Sequence, residues 1–174
     1  MRTAYYVLHQ YRMLGEALLA RGDAPGGIEV ASRLRFYGRL ANAGGLAFLL
    51  EVAAYDIAQL VEGAVESTGT RDALLDILLE VGPPDVQNPA GVRRAQVQLA
   101  TFFLTRGDTA AVQRIARALA GERRELLAGV RADIERETSP HYSEIENRGA
   151  NFAYLSPERR AQLDAFYAML GTAV

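Results

Sequence analysis

The chain has 174 residues, 49% of them apolar and 23% charged, with a net charge of −2. That is the balance of an ordinary soluble globular domain, and it exerts no general pull toward nucleic acid or an anionic membrane. With no cysteine, disulfides, thiolate nucleophiles and thiolate metal sites are excluded together.

All 19 basic residues are arginine, as expected of a GC-rich genome. Length favours a single domain spanning 1–174. No secretory signal is visible, because His9, Gln10, Arg12 and Glu16 break the first apolar residues. The longest apolar region, 41–61, carries Glu51, Asp56 and Gln59, which are costly inside a bilayer. The expectation is therefore a cytoplasmic, bacterial protein with no membrane insertion.

The first expected helix covers 3–20, with Val7, Tyr11, Leu14 and Leu18 as its apolar stripe. Arg21-Gly22-Asp23 ends it. Pro25-Gly26-Gly27 is expected to delay the next helix, placed at 28–42, with Leu34, Tyr37 and Leu40 turned inward. After Gly44-Gly45 a long helix is expected over 46–66. Leu50, Ala54, Ile57, Val61 and Val65 run down one side, with Leu46, Ala53 and Leu60 beside them. A face this wide fits a helix covered on two sides. Ser67 to Thr70 reads as a turn with Thr70 as cap, followed by a short helix over 71–81. Gly82-Pro83-Pro84 cannot continue a helix, so the loop over 82–90 is the best internal sub-boundary.

The clearest pattern lies over 91–120. Val92, Ala95, Leu99 and Phe102 recur at intervals of three and four, with Phe103 beside them; Val112, Ile115, Ala116 and Leu119 repeat the pattern. Between them, Gly107 supplies the left-handed residue that ends one helix, and Asp108 or Thr109 caps the next. A turn so short makes the two helices antiparallel. Sliding the chain by about 85 places puts Arg21-Gly22-Asp23 on Arg106-Gly107-Asp108 and Leu14 on Leu99, which reads as an internal repeat. Both tripeptides read as helix corners, not as adhesion motifs.

A further helix is expected over 122–137, with Leu126, Leu127, Val130 and Ile134 inward and Arg131 able to pair with Glu135. Ser139-Pro140 and Ser156-Pro157 are two copies of one helix-start signal. The first opens a short helix to about Asn147, and the second opens a last helix over 157–170. β-Branched residues alternate nowhere, so no sheet is expected.

Leu99, Ala100, Phe103 and Gly107-Asp108 resemble the tetratricopeptide repeat, where a leucine, a small residue, an aromatic and a turn fall at these places. Tyr11, Leu14, Gly15, Leu18 and Gly22-Asp23 echo the first half of that motif. The resemblance implies a concave surface that grips a protein or peptide. Read from the residues themselves, the fold class is all-α. It has about seven or eight helices in stacked antiparallel hairpins, either tetratricopeptide-like or an irregular bundle. Each hairpin is too small to bury its own stripe and leans on the next.

Chemistry-bearing motifs are sparse. His141 and Glu144 share a face if Pro140 opens a helix, and Asn147, Arg148, Asn151 and Tyr154 follow in an irregular stretch. These six are the candidate ligand-binding residues; the competing reading is a structural tuck with Phe152 and Leu155. A metal needs three or four ligands, and His9 is the one other histidine, so neither metal nor cofactor is expected. No Gly-x-Ser-x-Gly and no phosphate-binding glycine loop occurs, so no catalytic residue is assigned. Arg33, Arg35 and Arg39 with Phe36 and Tyr37 form the most basic aromatic run, yet on a helix they spread around the axis, and no nucleic-acid partner is expected. The functional expectation is a non-enzymatic interaction module for a protein or peptide partner, or for a second copy of itself. The alternative is a small helical enzyme or ligand-binding regulator using 139–155.

Overall fold

The computed structural model describes residues 2–82, 89–137 and 157–172. They form eight helices and no strand, so the all-α expectation holds among the described residues. In order these are α1 (Arg2–Ala20), α2 (Ala24–Ala43), α3 (Ala47–Gly63), α4 (Thr68–Leu79), α5 (Pro89–Thr105), α6 (Thr109–Leu119), α7 (Arg124–Glu137) and α8 (Pro157–Thr172). The chain divides into two compact units, Met1–Gln96 and Val97–Val174, with the division inside α5. The candidate sub-boundary over 82–90 precedes that point. The short helix expected from Pro140 to Asn147 lies outside the described residues.

In the first unit each of α1 and α2 packs against the next helix and the next but one: α1 on α2 and α3, α2 on α3 and α4. α3 is central, and Leu49, Leu50, Ala53, Ala54, Ile57, Leu60 and Val61 are all buried. The two-sided face expected of this helix is what lets three others gather around it. Val65 is only half-buried, because the helix stops at Gly63.

The corner between α1 and α2 and the corner between α5 and α6 are the same device. Gly22 and Gly107 take the left-handed backbone, at φ 79° and 70°. The next amide reaches back to close the helix, Asp23 N to Leu18 O at 2.9 Å and Asp108 N to Phe103 O at 3.0 Å. The aspartate then accepts from the new helix, Asp23 from the Gly26 amide at 3.0 Å and Asp108 from the Ala111 amide at 3.1 Å. One tripeptide therefore stops a helix and starts another, twice.

Two helix starts differ from expectation. α2 begins at Ala24 and not at position 28: the Asp23 cap starts it at once, and Pro25 sits in the first turn, where a missing N–H costs nothing. α4 begins at Thr68, so the expected turn over 67–70 is its first turn. Thr70 is buried there and its hydroxyl accepts from Ser67 Oγ at 3.0 Å, instead of capping a later helix.

The start of α5 is tied to the end of α4. Arg93 Nη2 donates to Gly82 O at 2.6 Å, and Gln96 Nε2 donates to Leu78 O at 3.2 Å, both side chains buried. These bonds hold α5 to the last turn of α4 and to the residue that follows it by three. Arg94 pairs with Glu51 on α3 and lies 5.4 Å above the Tyr55 ring.

The second unit is built on a conventional apolar core. Phe103, Val112, Ile115, Leu119, Val130, Ile134, Leu163, Phe166 and Leu170 are buried. α6 packs on α8, and α7 meets α8 through Tyr167, whose hydroxyl donates to Leu127 O at 2.7 Å. The expected Arg131–Glu135 pair forms at 3.0 Å, and Arg131 also reaches Asp164 on α8 at 2.6 Å.

Candidate interaction face

Helix α1 lies rotated by one residue from its expected orientation. Leu8, Arg12, Gly15 and Leu19 lie inward, while Val7 and Leu14 of the expected stripe are exposed. Leu8 is 3% exposed and Leu14 is 49% exposed. Gly15 explains the rotation. A Cβ at that position would stand 3.0 Å from both Val30 Cγ1 and Leu60 Cδ2, so α1 approaches α2 and α3 so closely there that a larger residue would force those side chains to shift. Turning Leu14 inward would drive a full side chain into that space.

Arg12 provides the second reason. Its Nε lies 3.3 Å from Asp56 Oδ1, a carboxylate in the middle of α3 that is 7% exposed. The same guanidinium pairs with Glu16 and lies 3.3 Å from His9 Nδ1. A buried carboxylate demands a counter-charge, and α1 supplies it by facing Arg12 inward. The compensation is partial, because Asp56 Oδ2 has no hydrogen-bond partner among the described residues. Burial pushes the Asp56 carboxyl from its ordinary 3.8 up to about 6; the neighbouring Glu16 charge adds to the rise and Arg12 opposes it.

The outward consequence is that Val7 and Leu14 are exposed and Tyr11 and Leu18 half-buried. Val7, Tyr11, Leu14 and Leu18 now flank α2 on its outer side, where Tyr11 and Tyr37 meet with ring centroids 5.7 Å apart. Phe36 and Leu40 are 61% and 59% exposed, and Tyr37 is exposed with them. The expectation that Tyr37 and Leu40 turn inward is thus corrected: Val30, Ala31 and Leu34 take the buried side of α2, and the other two fall on the opposite flank. All the large exposed hydrophobic side chains among the described residues belong to α1, α2 and the first turn of α3. None of them lies among the described residues of the second unit.

The arginines of α2 are engaged by neighbours. Arg33 Nε donates to Glu29 Oε1 at 2.8 Å, and its pKa is held above the ordinary value first by Glu29 and then by the Tyr11 hydroxyl. Arg35 pairs with Glu80, and Arg39 Nη2 donates to Glu80 O at 2.9 Å. Of the basic aromatic run, Arg35 and Arg39 therefore bind the end of α4, while Arg33 pairs within its own helix beside the exposed aromatics.

The second unit holds a half-open cleft of about 490 Å³, lined among others by Leu119, Leu127, Arg131, Tyr167 and Leu170. Those polar groups face each other. The Arg131 guanidinium lies 5.4 Å above the Tyr167 ring, and burial raises the Tyr167 phenol to about 12, so it stays a donor to Leu127 O.

The six candidate ligand residues, His141, Glu144, Asn147, Arg148, Asn151 and Tyr154, all lie outside the described residues. Among the described residues no group of three or more His, Cys, Asp or Glu could hold a metal ion, and no helix is long and apolar enough to cross a membrane. No protein-family model, curated protein or solved structure matches the chain.

Proposed function

We propose that the chain is a non-enzymatic helical interaction module that docks a protein partner on the outer face of α1 and α2. The observation that carries this reading is that, among the described residues, the large exposed apolar side chains all belong to α1, α2 and the first turn of α3. Monomeric proteins rarely leave contiguous apolar patches of more than a few hundred Å², and such patches mark interaction sites. Within this reading the hairpins at the two Arg-Gly-Asp corners act as tetratricopeptide-like units. The packing of α1 and α2 on the next helix but one supports that comparison for the first hairpin.

A photo-crosslinking residue placed at Phe36 in the native host tests the reading. Covalent protein adducts are expected from Phe36 and not from Gln113, an exposed position on α6. Equal adduct patterns at the two positions, or none at Phe36, would contradict it.

A further inference from the structure

We propose that the occupant of this face is a second copy of the chain, with two α1–α2 hairpins meeting about a two-fold axis as a four-helix bundle. The proposal rests on the interaction reading above and names its partner.

The first argument is geometric. Val7, Tyr11, Leu14 and Leu18 are spaced four, three and four residues apart, the seam of a helix that packs along another helix. The seam is about 16 Å long at 1.5 Å per residue. On α2, Glu29, Arg33, Phe36, Tyr37 and Leu40 cover the same length, and the Tyr11–Tyr37 contact sets the two seams side by side. A patch made of two parallel seams of equal length is matched by the same patch turned through a half-rotation. An isologous interface needs that self-complementarity.

Area and charge give the second argument. The exposed portions of Val7, Leu14, Phe36, Tyr37 and Leu40 amount to roughly 500 Å², at the upper end of what a monomer leaves open. A standard interface buries roughly 800 Å² per partner, so a dimer also buries polar residues around these five. Within the stripe the charged side chains are Glu29 and Arg33, and they neutralise each other. Such a face offers no net charge to a phosphate backbone or an anionic lipid surface. It offers both signs to a copy of itself, so Arg33 of one chain can meet Glu29 of the other without like-charge repulsion.

Light scattering of the full chain after size exclusion, over about 1 to 100 µM, tests this in the range where interfaces of this size associate. The expected mass is twice 19.0 kDa for the wild type. Leu14→Arg and Phe36→Arg should each weaken self-association at least tenfold while leaving the helical circular dichroism spectrum unchanged, and Gln113→Arg should leave the dimer intact. Leu40→Arg serves as a third variant if either of the first two loses helicity. A wild-type mass of one chain across that range overturns the second copy, and adducts at Phe36 would then still support the interaction reading with a different protein. A dimer that survives all the arginine variants on the face overturns its location.

Discussion

Arg12 in the first unit and Arg131 in the second are both bound to carboxylates, but in opposite settings. Arg12 lies under α1 against the buried Asp56, while Leu14, Phe36 and Leu40 face water on the outside of the same helices. Arg131 sits on a helix surface between Glu135 and Asp164, while Leu163, Phe166 and Leu170 fill the interior beneath it. The second unit follows the rule that apolar groups are buried and charges solvated. The first unit departs from it on both counts within its first three helices. A buried, half-satisfied carboxylate is a poor source of stability, and exposed leucines contribute little to it. The exposed half of this departure is what the docking proposed above would cover.

The largest expected effect separates the inner from the outer leucines of the first unit. Leu50 is fully buried in α3, so Leu50→Ala should cost about 2–5 kcal/mol by urea unfolding, whereas Leu14→Ala should stay within about 0.5 kcal/mol in dilute protein. Equal losses would erase the distinction between the two faces.

Next in size is the pH dependence written by Asp56. Its folded pKa is raised, so the folded chain holds that proton more tightly than the unfolded chain. The contribution is complete below the ordinary value of 3.8 and is lost as pH rises through about 6. From a shift of about two units, the stability of the wild type relative to Asp56→Asn should fall by about 3 kcal/mol between pH 3.5 and 7. Urea midpoints of the two proteins across that interval measure it, and parallel curves would contradict the partial compensation described for this carboxylate. The Tyr167 phenol of the second unit, raised by burial to about 12, lies outside that interval. There, Tyr167→Phe should cost about 1 kcal/mol through loss of the bond to Leu127 O, read as a small drop in the thermal midpoint.

The same contrast shows which parts of the fold were legible in the sequence. On α6 the apolar positions form one stripe with polar residues elsewhere, and Val112, Ile115, Ala116 and Leu119 are buried as their spacing indicates. Asp108 was legible too, because a cap acts on an amide three residues away. On α1 two stripes compete, 7–11–14–18 and 8–12–15–19, one residue apart. Counting apolar side chains selects the first. The chain uses the second because Gly15 fits against Leu60 and Arg12 answers Asp56, contacts more than forty residues away along the chain. No local window contains that information. The presence of Asp56 inside the apolar region 41–61 was the available signal, since a carboxylate in a two-sided helix must find a cation on something packed against it. The face itself followed from the same error: once α1 rotates, the stripe expected to be core becomes surface. The candidate residues over 141–154 rest on their sequence alone.

The rotation of α1 can be measured directly, because the chain has no cysteine of its own. Single Leu8→Cys and Leu14→Cys proteins would be exposed to a thiol-reactive label while folded and dilute. Leu14→Cys should react at the rate of an open thiol, and Leu8→Cys roughly a hundredfold more slowly, limited by opening of the helix. A thiol at position 8 that reacts as fast as one at position 14 would put the apolar stripe back inside and remove the docking face.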